Sequence, residues 1–126
     1  MKKFDLEERS LEFSKKIISL CKKLPFNQSN HTLIDQLIRS ASSIGVNYRE
    51  ANETDTKKDF RNKIRIAKKE AKETVYWLEL LLDSNQSYKE EIAFVLQESL
   101  ELMKILAAIY IKIDLQSIDY NFRFRN

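Results

Sequence analysis

The chain has 126 residues, enough for one domain with its own core and too few for two of ordinary size. One Gly and one Pro leave little material for hairpin turns, while Leu, Ile, Ala, Lys and Glu dominate, so the fold class is all-α. The start, MKKFDLEERS, has no apolar leader core. The longest apolar stretch, near Ile105 to Ile113, is broken by Lys112 and is too short to span a bilayer, so a cytoplasmic protein without membrane contact is expected.

Four periodic segments follow one another. The first runs from about Asp5 to Leu24, with Phe13, Ile17, Leu20 and Leu24 at helical spacing, and stops where Pro25 disfavours helix in the residue before it. Cys21 is the only cysteine, which excludes an internal disulfide and a thiolate zinc site, and beside Ile17, Ile18 and Leu24 it reads as a small core residue. After the loop LPFNQSN a second helix, about residues 30–54, starts at a cap between Ser29 and Thr32. It repeats Ile34, Leu37, Ala41, Ile44, Tyr48 and Ala51 in steps of three and four. Gly45 interrupts this helix at a cost of about 1 kcal/mol, which makes sense if another helix approaches closely there.

Thr56 and Asp59 form a capping box for a third helix, about 57–83, whose apolar face is Phe60, Ile64, Ala67, Ala71, Val75, Leu78 and Leu82. DSNQS ends it, Ser87 with Glu90 repeats the capping signal, and a fourth helix continues from about 87 to Leu115, leaving 116–126 as a short tail. Short loops between long helices predict an antiparallel up-down-up-down four-helix bundle in one domain, 1–126. The fourth helix carries the seam Ile92, Val95, Ser99, Leu102, Leu106, Ile109 and Ile113. A second row, Leu96, Leu100, Met103, Ala107 and Tyr110, lies beside it, with Phe94 and Ile111 beyond. That arc is wider than one bundle core requires, so a second copy of the chain is expected to cover part of it.

Between Lys57 and Lys72 eight Lys or Arg stand against two acids, in a chain whose net charge is +3. With the apolar face inward, Lys57, Arg61, Arg65, Lys68 and Lys72 form one row, with Lys58 and Lys69 beside it. Such a row can lie along phosphates, which points to RNA or DNA as a partner. The plainer reading is a solvated face balanced by Glu90, Glu91, Glu98 and Glu101. In the tail, Tyr120, Phe122 and Phe124 alternate with Arg123 and Arg125, types that stack on bases and bind phosphate.

Two carboxylate pairs, Glu50 with Glu53 and Glu70 with Glu73, have the spacing by which all-α nucleotide pyrophosphohydrolases hold Mg²⁺. Pairing with neighbouring Lys and Arg explains all four acids more simply. His31 lacks the Glu three residues before it that a di-iron site needs. No catalytic residue, metal, cofactor or small-molecule substrate is assigned. Tyr48 and Trp77 extend apolar faces near the joining loop of helices two and three, and each is expected to hydrogen-bond, with Arg39, Asn47, Glu50, Glu70 and Glu73 as partners.

Three blocks, DLEERSLEFSKKIISLCKKLP, RSASSIGVNYREANET and KKDFRNKIRIAKKEAKETVYWLELL, resemble the ribosomal intervening-sequence protein family, over about Phe4 to Tyr110. Its name comes from members encoded within intervening sequences of large-subunit ribosomal RNA genes. The resemblance extends to the accessory protein of diversity-generating retroelements, which binds nucleic acid and a reverse transcriptase. It implies a four-helix bundle, a homo-oligomer of pentameric order, nucleic-acid binding and no enzymatic activity. The alternatives are a structural or protein-interaction module and, on the carboxylate pairs, a Mg-dependent pyrophosphohydrolase.

Overall fold

The computed structural model describes the backbone of residues 3–125 and the side chains of residues 6–113. Four α-helices follow in order: α1 Lys3–Lys23, α2 Gln28–Asn52, α3 Lys57–Ser84 and α4 Lys89–Arg125, with a single 3-10 turn, Gln86–Tyr88, before α4. They form a bundle in which α2 and α4 flank α3 along most of its length, α1 packs on α2, and the α1–α4 seam is the loosest.

Helix boundaries follow local chemistry. Pro25 stands just beyond the end of α1. Asn27, two residues before the expected caps, is the N-cap of α2, its side chain accepting from the Asn30 N–H at 2.9 Å. Thr56 caps α3 as read, its Oγ1 accepting from the Asp59 N–H at 3.1 Å. The Ser87 box does not form; Ser87 lies inside the 3-10 turn, which has no side-chain cap. Helix α4 continues to Arg125, past Leu115, because no Gly or Pro follows Lys89 to stop it. The side chains of Tyr120, Phe122, Arg123, Phe124 and Arg125 lie outside the described residues.

The seams converge on one core. Phe13 and Ile17 of α1, Leu37 and Ile44 of α2, Ile64 and Leu78 of α3, and Ile92, Leu102 and Leu106 of α4 are buried. Each side chain of this kind contributes roughly 1.5–3 kcal/mol by leaving water. The second row of α4 is largely covered by the chain itself: Leu96, Met103 and Tyr110 are half-buried against the core, while Phe94 and Ile111 are exposed.

Gly45 has no positive φ, so it serves space rather than backbone conformation. A Cβ there would stand 3.0 Å from Ser10 Oγ and 3.4 Å from Ser10 Cβ, which identifies α1 as the closely approaching helix. One turn further along α1, the Ser14 hydroxyl lies 3.1 Å from Ser10 O and 3.4 Å from Ala41 O on α2, so small residues bring the two backbones together.

Polar groups buried in the bundle are mostly paired across helices. Asn30 Nδ2 donates to Asn85 Oδ1 at 2.8 Å and Asn85 Nδ2 to Asn30 Oδ1 at 2.9 Å. Their second N–H groups reach Pro25 O and Leu81 O, at 2.9 and 3.0 Å. Ser40 and Thr74 hydroxyls meet 2.9 Å apart between α2 and α3. Ser99 Oγ, in the α4 seam, is buried and has no hydrogen-bond partner among the described residues.

Candidate nucleic-acid interface on helix α3

Helix α3 presents its apolar stripe to the core, which fixes where its cations go. Lys57, Lys58, Arg65, Lys69 and Lys72 are exposed, whereas Arg61 and Lys68 are half-buried. The division has a cause on another helix. Arg61 Cζ lies 4.3 Å and Lys68 Nζ 4.6 Å from the centroid of the Tyr110 ring on α4, both within cation–π range. Two turns of α3, about 10 Å, separate the two residues, so they converge on the ring from either end. The basic row of α3 and the second apolar row of α4 therefore meet at Tyr110.

The acids expected to balance the row do something else. Glu98 accepts from Arg9 of α1 in a two-pronged pair, 2.8 Å to Arg9 Nε and 3.0 Å to Nη2, and Glu101 stands 3.4 Å from the same guanidinium. The hydrogen bond with Glu98 holds Arg9 charged above its ordinary range. Glu90 and Glu91 line the groove between α1 and α4 with Lys16 and Phe94, whose ring lies 5.7 Å from Lys16 Nζ. Among the described residues, no carboxylate comes within ion-pair distance of Arg65, Lys68, Lys69 or Lys72. Arg65 Nη2 donates to Asn62 Oδ1, at 3.0 Å.

The two carboxylate pairs are tied to α2–α3 packing. Arg39 of α2 donates to Glu70 at 3.0 Å and to Glu73 at 2.7 Å, bridging the acids from opposite α2. The Glu73 hydrogen bond is the main cause of the raised Arg39 pKa. Glu70 is buried, so the guanidinium supplies the countercharge that a carboxylate removed from water requires. Glu50 accepts from Lys63 Nζ at 2.7 Å, and Glu53 is exposed at the α2 C-cap. Among the described residues, no three His, Cys, Asp or Glu side chains come together as a metal site.

Tyr48 and Trp77 depart from expectation in different ways. Burial pushes the Tyr48 phenol up, a hydrogen bond with Asn52 partly offsets this, and Glu7 adds to it; Asn52, outside the expected partners, in turn donates to Glu7 at 2.7 Å. Trp77 is not near the α2–α3 loop. It sits about 30 Å along α3 from that loop, since antiparallel packing places only the first turns of α3 beside it. Its Nε1 is buried and, among the described residues, has no hydrogen-bond partner, while its ring meets Tyr76 edge-on at 5.2 Å. The sequence held a signal for this neighbourhood, the TVYWLELL run, but a single helix does not tell which aromatic is outermost; Tyr76 is.

The profile of the 23S rRNA-intervening sequence protein family matches residues 2–108. The chain belongs to this family. A crystal structure of a protein of unknown function from the S23 ribosomal protein family of Bacteroides thetaiotaomicron is similar to this family member, at 40% identity and a TM-score of 0.76. The similarity covers 83% of this chain and 97% of that one. No curated protein matches the chain. Among the described residues, no helix of this intervening-sequence protein is long and apolar enough to cross a membrane.

Proposed function

We propose that this intervening-sequence family protein is a non-enzymatic binder of RNA or DNA, working as a homo-oligomer through the cationic face of α3. One observation carries the reading. Among the described residues, Arg65, Lys68, Lys69 and Lys72 follow one another over two turns without a carboxylate in ion-pair range, while Glu98 and Glu101 of α4 are committed to α1 and Glu90 and Glu91 stand beside it. Unneutralised cations at this spacing gain most from a ligand that is itself a line of negative charge. Exposed Phe94 and Ile111 on α4 support self-association, and the pentamer implied by the resemblance is the order expected.

Phosphate neutralisation predicts binding that falls steeply with salt, with a log–log slope of about −0.7 to −0.9 per phosphate contacted. The double variant Lys58→Glu with Arg65→Glu changes two exposed cations that, among the described residues, make no ion pair or hydrogen bond to another helix. It is expected to weaken every RNA and DNA tested while leaving helix content unchanged. A wild-type protein that retains no nucleic acid at low salt overturns the reading and favours a protein-interaction module. Light scattering checks the assembly: the expected mass is several times 15.0 kDa. Ile111→Glu is the variant expected to lower it, because Leu100 and Met103 are half-buried and charges there would disturb the bundle itself.

A further inference from the structure

Where the cationic stretch of α3 ends, the helix changes character. Lys69 and Lys72 are followed one turn later by Tyr76 and Trp77, and these four side chains with Glu73 line a shallow cleft of about 300 Å³. Tyr76 is 56% exposed, although a phenol ring of that size normally finds cover. The edge-on contact with Trp77 braces the Tyr76 ring on one side and leaves the rest open to solvent. Glu73 is the only acid lining the cleft, and Arg39 already holds it at 2.7 Å, so it opposes an incoming anion weakly. Among the described residues, Lys69 and Lys72 have no such partner.

An open aromatic face beside two unneutralised ammonium groups matches one ligand chemistry: a planar base joined to a phosphate. In a duplex the base faces are stacked on one another and closed to a protein side chain, whereas an unpaired strand offers both base and phosphate together. We infer that this cleft is a stacking site for an unpaired nucleic-acid strand, with Tyr76 carrying the base and Lys69 and Lys72 the adjoining phosphates. The inference rests on the nucleic-acid reading above and narrows it from RNA or DNA in any form to a single strand. It also gives the strand a direction of travel, from the Arg61–Lys68 region towards the Trp77 end of the helix.

The chain has one tryptophan, and it lies in this cleft, which supplies a local readout. Titrating the full-length protein at low salt with oligo(dT) or oligo(U) is expected to change Trp77 fluorescence. The duplex of oligo(dT) with oligo(dA) is expected to bind more weakly and leave the emission nearly unchanged. Tyr76→Ala is expected to weaken the single strands about tenfold or more and the duplex little, while Tyr76→Phe, which keeps the ring, retains single-strand affinity. Unchanged fluorescence on saturation with oligo(dT), or equal losses for strand and duplex in Tyr76→Ala, overturns the cleft but leaves the broader reading standing. A drop in oligomer mass in Tyr76→Ala would likewise overturn it, by showing the cleft to be an interface between copies. Absence of binding by strand and duplex alike overturns both.

Discussion

Asn30 and Asn85, 55 positions apart in the chain, exchange two hydrogen bonds and use their remaining N–H groups on the carbonyls of Pro25 and Leu81. The pair joins the start of α2 to the end of α3 and fixes their relative height. Asn85→Ala leaves the Asn30 amide buried and half-satisfied, at an expected cost of about 1–3 kcal/mol in urea unfolding. Replacing both residues with Leu is expected to cost less than the sum of the two single changes, since no orphaned amide remains.

Gly45 and Ser10 set the spacing of α1 and α2. Gly45→Ala gains about 1 kcal/mol of helix propensity and presses its Cβ onto Ser10 Oγ, so the expected stability change is small. Adding Ser10→Ala removes that oxygen, and the double variant is expected to be more stable than Gly45→Ala alone. Gly45→Leu overfills the contact and is expected to lose about 1–3 kcal/mol. Thermal unfolding of the three variants gives the order.

Arg39 is half exposed, but the charge it answers is not. Arg39→Met keeps much of the stem and leaves buried Glu70 without its cation, at an expected cost of about 1–3 kcal/mol, with solvent access to the guanidinium discounting the upper end. Glu73→Gln, whose carboxylate is nearer to solvent, is expected to cost less. Chemical denaturation at neutral pH compares them.

Burial pushes the Cys21 thiol up to about 11 from 9.0. Near neutral pH the native protein then holds about a hundredfold less thiolate than an unfolded chain, and alkylation by iodoacetamide is expected to slow accordingly. The folded state keeps the proton that the unfolded state gives up. Its contribution to stability is therefore complete below pH 9 and is lost as pH rises towards 11. Cys21→Ala is expected to flatten that part of the stability profile.

The bundle was legible because burial obeys a period. Leu37, Ile44, Ile64, Leu78, Leu102 and Leu106 recur at helical steps, and every one is fully buried. Contacts between helices carry no such period. Nothing in the spacing of Asn30 and Asn85 announces their pairing, and Arg39 lies nearer in sequence to Asp35 and Glu50 than to Glu70 or Glu73. The cationic row shows the same limit: steps of three and four treat Arg61 and Lys68 as equivalents of Arg65, and the Tyr110 ring of α4 sets them apart. Helix α4 runs to Arg125 rather than ending near Leu115, since no cap or breaker follows to stop it.

On the proposed function, a polyanion on α3 and a second copy on α4 meet where Arg61 and Lys68 stand over Tyr110, and the two occupancies are then thermodynamically reciprocal. A polyanion that draws the two cations outward uncovers the aromatic ring. A second molecule that seats on that ring releases the cations to face an anion. Each event removes a cost that the other would otherwise bear, so the two favour one another by the same factor in both directions. If α4 assembles and α3 captures phosphates as proposed, the two form one equilibrium, with Tyr110 as the coupling element.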